Sequence, residues 1–266
     1  MAPTRAVPTS LDPAVVANID ARLASIESRD GVTIPWAIES GSRAWGFPSP
    51  DSDYDGRFLF IRPTADYLRL MPLRDVIETP LDAIYDVNGW DVRKAVTLLV
   101  RGNPTVVEWL RSPIVYTGDA AFRDGILALA EEVLDRERVL DHYVHIGIRH
   151  RDNQDGKLKR FFYALRPAAT LAWLNAHPGE AVAPMDLPSL IAESDPPPGV
   201  AEAVDSLIAM KALTRELGAG EAPGILRRYV DENLQRAAER PAAPRSDPSR
   251  AWAAADAFFL RLTGVS

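Results

Sequence analysis

A glycine-serine pair and two aspartates at alternate positions are the residues best suited to carry out chemistry. Gly41 and Ser42 follow an apolar run, and after ten intervening residues come Asp53 and Asp55. Glycine lets the backbone turn sharply, so the amides beyond it and the serine hydroxyl can surround a phosphate group. Two neighbouring carboxylates repel each other unless a cation lies between them, and Mg²⁺ commonly joins carboxylates to substrate phosphates. The pattern predicts a site for a divalent cation, Mg²⁺ or Mn²⁺, and a phosphate group.

The elements around these residues must bring the two aspartates to one face of a strand. The local patterns predict a strand, a tight turn or half-helix, a loop and a second strand, at 33–39, 41–46, 47–51 and 54–61. Side chains on a strand alternate between its faces, so Asp53 and Asp55 are expected to point the same way. With two bound ions, such a site can activate an attacking hydroxyl and stabilise a leaving pyrophosphate.

A third carboxylate on a neighbouring strand would complete the cluster, and two aspartates compete for that place. Strands are predicted at 75–79 and 83–87, and Asp86 lies near the end of the second one. Asp91 stands immediately before a helical pattern, where an aspartate commonly caps the helix N-terminus. Asp86 is therefore favoured as the third metal ligand or general base, and Asp91 is the alternative.

Helical periodicity accounts for most of the remaining chain. Apolar residues recur every three or four positions at about 10–29, and shorter helices are predicted at 64–70 and 91–101. Beyond residue 117 every pattern is helical, at 119–135, 138–151, 157–176, 200–217, 222–239 and 248–264. The predicted fold is α+β: a small mixed β-sheet core flanked by helices over residues 1–117, followed by an all-helical part over residues 118–266 that completes the cleft.

The composition narrows the chemistry that this chain can perform. The absence of cysteine excludes thiolate catalysis and cysteine-ligated metal centres, so the reactive groups must be carboxylates, hydroxyls, amines or histidines. A formal net charge of −7 argues against indiscriminate coating of nucleic acid, although basic residues are concentrated at 149–166. No apolar run reaches the roughly 18 residues of a membrane span. The first residues also lack the apolar core of a secretory signal, so we expect a cytoplasmic protein with no membrane partner.

Several side chains outside the aspartate cluster are candidates for holding phosphates. Arg43 follows the glycine-serine pair, and a guanidinium can donate two parallel hydrogen bonds to a phosphate. In the predicted helix at 157–176, Lys159, Tyr163 and Arg166 are three or four positions apart and share one face. That face would close over a triphosphate from the helical part, or it would be an ordinary solvated surface.

The spacing of these motifs resembles that of a known family. Gly-Ser followed after ten residues by Asp-x-Asp is the signature of the DNA polymerase beta-like nucleotidyltransferases. The longer motif, Glu-Ser-Gly-Ser-Arg-Ala-Trp-Gly followed by Asp-Ser-Asp-Tyr-Asp, resembles that of a bacterial branch of this superfamily, the RNA repair pathway DNA polymerase beta family. Further segments that resemble this family lie at residues 88–94, 102–109, 112–116 and 159–167. The resemblance covers about residues 30–175.

The resemblance implies a role for each matching residue. Gly41 and Ser42 would hold a nucleoside triphosphate, Asp53 and Asp55 would bind metal, and Asp86 would match the third catalytic aspartate. The implied reaction moves a nucleoside monophosphate from the triphosphate to a hydroxyl and releases pyrophosphate. The family's association with RNA repair makes an RNA 3′ end one candidate acceptor, and the acidic chain leaves a protein or a small molecule equally open. The alternative is a non-catalytic nucleotide-binding or regulatory module of the same fold, although two retained adjacent carboxylates speak against it.

Overall fold

One mixed sheet lies at the centre of the first part of the chain. The computed structural model describes residues 4–80, 84–152, 158–213, 221–241, 243 and 247–265. Six strands form the sheet: β1 (Thr4–Ala6), β2 (Thr33–Glu39), β3 (Gly56–Ile61), β4 (Val76–Glu78), β5 (Asn88–Asp91) and β6 (Val115–Gly118). Their order across the sheet is β1-β6-β2-β3-β5-β4. β3 and β5 run parallel, whereas the other neighbouring strands are antiparallel, so the sheet is mixed as predicted.

The helices fall into two groups along the chain. The first group lies among the strands: α1 (Pro13–Asp30), α2 (Gly41–Ala44), α3 (Thr64–Tyr67), α4 (Val92–Val100) and α5 (Thr105–Leu110). The second group follows β6: α6 (Ala120–Val133), α7 (Arg136–Asp152), α8 (Leu158–Ala176), α9 (Leu187–Ala192), α10 (Val200–Leu213), α11 (Gly224–Ala238) and α12 (Pro248–Leu262). The predicted α+β class, with a helical second part, is confirmed. Among the described helices, none combines the length and the apolar character needed to cross a membrane.

The register of three strands gathers their connecting segments at one end of the sheet. Glu39, the last residue of β2, pairs with Gly56, the first residue of β3. Asn88, the first residue of β5, pairs with Arg57, the next residue of β3. The turn that follows β2 therefore meets the segments that precede β3 and β5. These three segments carry the predicted glycine turn and the predicted aspartates.

A different hydrophobic cluster covers each face of the sheet. On one face, α1 packs over a cluster that includes the buried side chains of Phe58 and Phe60. Leu59 joins the larger cluster on the opposite face, as the alternation of side chains along a strand requires. This larger cluster continues into α8, where Phe162 and Leu165 are also buried. The helices of the second part thus cover one face of the sheet.

The strand predicted at 83–87 is wrong in its described portion. Residue 83 lies outside the described residues, and residues 84–87 form a single bridge, between Tyr85 and Tyr54. Regular pairing with β3 starts only at Asn88, and β3 itself starts at Gly56 rather than at Tyr54. The guanidinium of Arg57 lies at this interruption and donates hydrogen bonds to the carbonyl oxygens of Gly56 and Asp86. The Arg57 side chain thus adds to two backbone hydrogen bonds, from the Tyr54 amide to Ile84 and from the Asp86 amide to Tyr54, that tie these segments together.

Candidate active site

A cavity of about 520 Å³ lies at the end of the sheet where the three segments meet. Its lining residues come from two sides. The sheet end contributes polar groups, among them Ser40, Gly41, Asp53, Asp55, Arg57 and Asn88. Helices contribute the other wall, with Glu108 and Trp109 from α5, His142 and Tyr143 from α7, and Tyr163 and Arg166 from α8. The volume is within the range of pockets that bind small molecules and cofactors.

Gly41 is required at the turn for two separate reasons. Its φ of +57° lies in the left-handed region, which side chains other than glycine rarely adopt. A β-carbon at this position would also lie 1.8 Å from Oδ2 of Asp55. The adjacent Ser40 amide donates a 2.8 Å hydrogen bond to the backbone carbonyl of Asp55. The turn and the aspartate are therefore packed directly against each other.

Asp53 and Asp55 line the same cavity, as their alternate spacing predicted. Burial raises the pKa of the Asp55 carboxyl, the Arg57 guanidinium lowers it, and the negative charges of Asp53 and Asp86 raise it further. Three carboxylates are thus close enough to influence one another. No described residue donates a hydrogen bond to the Asp53 carboxylate.

Asp86 is linked to this pair through a shared cation. Arg57 Nη2 lies 3.0 Å from Oδ1 of Asp55 and 2.7 Å from Oδ2 of Asp86. The amide nitrogen of Asn88 donates a 3.1 Å hydrogen bond to Oδ1 of Asp86. Arg57 and Asn88 line the cavity, whereas Asp86 contacts it through them. The structure therefore brings all three predicted aspartates into one neighbourhood, with an arginine between two of them.

Asp91, the alternative third carboxylate, has the helix-capping position that its sequence context indicated. Its side chain accepts a 2.8 Å hydrogen bond from the amide of Arg93 in the first turn of α4. It also accepts a hydrogen bond from the Tyr67 hydroxyl at 3.1 Å and lies 3.6 Å from Arg62. Asp91 is 3% exposed and is not part of the cavity wall.

Ser42 and Arg43 contact the loop that carries Asp53 rather than the cavity. The Ser42 hydroxyl donates a 2.9 Å hydrogen bond to the Ser52 hydroxyl. Arg43 donates to the carbonyl oxygens of Ser52 and Asp53, at 2.6 and 3.1 Å, and its guanidinium lies 3.9 Å from the ring centroid of Tyr54. Both side chains therefore fix the path of the backbone just before Asp55.

Glu39 is a buried acidic residue beneath the site, although an acidic side chain at the end of a strand is more often exposed. Its Oε1 accepts a 2.9 Å hydrogen bond from the amide of Asp55, and its Oε2 accepts one at 2.6 Å from the Tyr116 hydroxyl. Burial raises the pKa of Glu39 to about 7, although the two hydrogen bonds oppose this change. The local signal available was an acidic residue at the end of an otherwise apolar strand. Its partner lies 77 positions away along the chain.

Two of the three side chains predicted on α8 line the cavity. Burial and the charges of Asp55 and Asp53 raise the pKa of the Tyr163 hydroxyl, so this group lies within electrostatic reach of the carboxylates. Arg166 donates to the carbonyl oxygen of Met185 at 2.9 Å, and its Nη2 lies 2.6 Å from Oε1 of Glu108. The side chain of Lys159 lies outside the described residues.

The cavity wall also contains aromatic and polar residues to which the sequence analysis assigned no role. The rings of Trp90 and Trp109 are 4.4 Å apart between centroids, and both line the cavity. The Tyr143 hydroxyl donates a 2.6 Å hydrogen bond to Oε1 of Glu108. Burial lowers the pKa of His142, so its imidazole is neutral at neutral pH.

The oxygen groups of the sheet end fit a hard divalent cation. Within the described ranges, no group of three or more His, Asp or Glu residues is placed so that it could hold a metal ion by itself. Mg²⁺, however, is usually held by only one or two carboxylates together with substrate phosphates and water. The carboxylate of Asp53 and Oδ2 of Asp55 accept no hydrogen bond from any described residue and border the cavity. This pair has the chemistry that such an ion requires.

Fold and site together define the class of this protein. A strand that ends in a glycine turn, followed by alternate aspartates at one end of a mixed sheet under a helical cover, is typical of polymerase beta-like proteins. The chain belongs to the RNA repair pathway DNA polymerase beta family, which it matches over residues 15–261. It is 34% identical over 221 residues to the uncharacterized protein YcgL of Bacillus subtilis (strain 168). That alignment covers 82% of this chain and 84% of YcgL.

The family match also extends the similarity seen in the sequence motifs. Those motifs covered about residues 30–175, whereas the match reaches residue 261 and includes the helices from α9 onward. The helical part is therefore a feature of the family and not an addition specific to this chain.

Proposed function

We propose that the cavity transfers a nucleoside monophosphate from a nucleoside triphosphate to a hydroxyl acceptor. The acceptor oxygen would form a bond to the α-phosphorus, the bond from that phosphorus to the bridging oxygen would break, and pyrophosphate would leave with the electron pair. One observation carries the proposal. Asp53 and Asp55 line a single cavity beside the Gly41 turn, and the Asp55 carboxylate packs against that glycine.

Asp53 and Asp55 would hold the metal ion, Mg²⁺ or Mn²⁺, with Asp86 as the third carboxylate. When bound, the ion lowers the pKa of the attacking hydroxyl and neutralises charge on the phosphates. Asp86 is positioned to act through Arg57, which contacts both Asp55 and Asp86. Arg57 thereby lowers the pKa of Asp55, and its positive charge limits the repulsion between the two carboxylates.

The remaining residues would bind and orient the triphosphate. The backbone around Gly41 borders the cavity and offers amides to phosphate oxygens. Ser42 and Arg43 hold the loop that ends at Asp53, which places them as positioning residues for the metal site. Lys159, Tyr163 and Arg166 would close the cavity from α8 and keep water from the reacting phosphate.

An RNA 3′ end is the acceptor that the family's association with RNA repair favours. The last turn of α7 supports this choice, since His150 lines the cavity and is flanked by Arg149 and Arg151. Basic side chains at the end of α7 would contact the phosphates of a strand end, whereas the net charge of −7 disfavours coating of the whole strand.

Turnover by the full-length protein tests the proposal. The protein is incubated with Mg²⁺ or Mn²⁺ and each labelled nucleoside triphosphate, with and without RNA that ends in a 3′ hydroxyl. We expect metal-dependent incorporation and pyrophosphate release, both lost in Asp53→Ala and Asp55→Ala. Asp124→Ala, at an exposed position on α6, serves as the control and should leave the rate unchanged. Nucleotide binding without turnover across a panel of acceptors would instead identify a non-catalytic nucleotide-binding module.

A further inference from the structure

The part of the cavity formed by α5 and α7 has the properties of a nucleobase pocket. We propose that this part binds the base of the triphosphate and that Glu108 selects bases with an exocyclic amino group. The inference rests on the proposed function, because it assigns a base to the nucleotide whose phosphates lie at the aspartates.

Aromatic rings from β5, α5, α7 and α8 provide a surface on which a base can stack. Trp90 and Trp109 line the cavity together, with ring centroids 4.4 Å apart. Tyr143 and Tyr163 line it as well. Stacking of a base on an aromatic side chain stabilises binding by roughly 1–3 kcal/mol and tolerates any base, because every base has a π-face. Discrimination between bases therefore needs a polar group.

Glu108 is the polar group that is held in place for this task. Its Oε1 accepts a hydrogen bond from the Tyr143 hydroxyl and pairs with Nη2 of Arg166, each at 2.6 Å. Both contacts are to the same oxygen, and no described residue donates to Oε2. The side chain is 13% exposed and lines the cavity. Two strong contacts thus fix a carboxylate whose second oxygen is available to a ligand.

A fixed carboxylate oxygen discriminates between bases by hydrogen-bond polarity. It accepts a hydrogen bond from the amino group of adenine, cytosine or guanine, because a carboxylate has only acceptor oxygens. Uracil and hypoxanthine present a carbonyl oxygen at the position where cytosine and adenine have the amino group. Two acceptors facing each other in a partly buried site repel and leave both without a donor. The neutral imidazole of His142 lies in the same cavity wall as Glu108. It can offer one hydrogen-bond donor and one acceptor to the base, at the ring nitrogen next to the amino group.

Glu108→Gln is the variant that isolates this effect. Glutamine keeps a carbonyl oxygen that can accept the hydrogen bond from Tyr143, loses the ion pair with Arg166, and replaces the second oxygen with an NH₂ donor. Two nucleotide pairs report on the exchange: CTP against UTP, and ATP against ITP. In each pair an amino group is replaced by a carbonyl at the same ring position. Dissociation constants and kcat/KM are measured for both pairs with the full-length protein and Mg²⁺.

We expect the wild-type protein to prefer CTP over UTP and ATP over ITP by on the order of 10- to 100-fold, the range for one hydrogen bond to a charged group. Glu108→Gln should reduce or reverse both preferences. Glu193→Gln is the control, because Glu193 is an exposed glutamate outside the cavity that accepts a hydrogen bond from Trp173, and the preferences of this variant should equal those of wild type. Equal binding of both members of each pair by the wild-type protein would overturn the proposal, as would preferences unchanged in Glu108→Gln.

The binding and turnover measurements separate this inference from the proposed function. A preference for amino-bearing bases in the dissociation constants, without turnover of any nucleotide, would support the base pocket and reject the transfer reaction. Turnover without any difference within the two pairs would support the transfer reaction and reject the role of Glu108. A poorly folded Glu108→Gln protein leaves the wild-type comparison of the pairs to decide.

Discussion

The Asp55 carboxylate packs against Gly41 so closely that a β-carbon on residue 41 would lie 1.8 Å from Asp55 Oδ2. The same glycine has a φ of +57°, which allows the chain to turn out of β2. Gly41 thus allows the backbone to turn and also leaves room for the Asp55 carboxylate. Because these two roles depend on different properties of glycine, they can be separated by experiment.

Gly41→Ala should reduce activity by displacing Asp55, beyond any effect on backbone strain. Gly31 provides the matched control, since its φ is +61° and an added β-carbon would have nothing within 4 Å. An alanine at either position should cost roughly 1–2 kcal/mol in left-handed backbone. Gly31→Ala should remain active, whereas Gly41→Ala should lose about 100-fold in kcat/KM, as expected for a catalytic group moved by about 1 Å. Urea unfolding and turnover are measured for both variants, and equal activities would contradict the prediction.

The turn and the aspartates were predictable because their signals are local. The strand at 33–39 ends at the predicted residue, and the short spacing from Gly41 to Asp55 leaves few possible paths for the chain. The capping position of Asp91 was equally visible, because an aspartate directly before a helical pattern usually accepts from the first-turn amides. Local sequence thus determines both features.

Other parts of the site depend on residues that are distant in sequence. The burial of Glu39 requires Tyr116 on β6, a strand of only 4 residues that shows no clear alternation. The Glu108 contacts join three helices, since Tyr143 is on α7 and Arg166 is on α8. The strand predicted at 83–87 is reduced to one bridge in its described portion, and the carbonyl oxygen of Asp86 accepts from the Arg57 side chain of another strand. No pattern within a single element could reveal such tertiary contacts.

Arg57→Gln should shift the acid limb of the pH–activity profile to higher pH. The guanidinium lowers the pKa of Asp55, whereas Asp53 and Asp86 raise it. Without Arg57, Asp55 would need a higher pH to become the carboxylate that binds metal. The profile of kcat/KM and Mn²⁺ binding are measured across the acid range. Arg74→Gln, which breaks an exposed ion pair with Glu78, is the control and should keep the wild-type profile. An unchanged acid limb in Arg57→Gln would rule out this role.

Glu39→Gln should remove a pH dependence of stability. Burial raises the pKa of Glu39 from 4.5 to about 7 in the folded protein, so the folded state binds this proton more tightly than the unfolded state. The wild-type protein therefore loses stability from this group as the pH rises from about 4.5 to about 7. Glutamine cannot ionise and can still accept from the Asp55 amide.

The free energy of unfolding of Glu39→Gln should accordingly rise relative to wild type by up to about 3 kcal/mol over this pH window. Urea unfolding at a series of pH values measures the difference. Glu78→Gln, at an exposed position, should show no such trend. A difference that stays constant with pH would show that Glu39 is ionised throughout the window in the folded protein.

Phe47→Ala should destabilise the predicted core, residues 1–117, and the helical part, residues 118–266, in a single transition. The division between these parts was proposed from the sequence. In the structure, one hydrophobic cluster includes residues of both parts. Within it, the ring of Phe47 stacks on that of Phe162, with centroids 4.6 Å apart. Phe47 is fully buried, so its truncation should cost about 3–5 kcal/mol. Tryptophan fluorescence and far-ultraviolet circular dichroism are followed together during urea unfolding. Leu70→Ala, at a fully exposed position, should leave the midpoint unchanged. Two separate transitions, only one of them shifted by Phe47→Ala, would show that the parts fold independently.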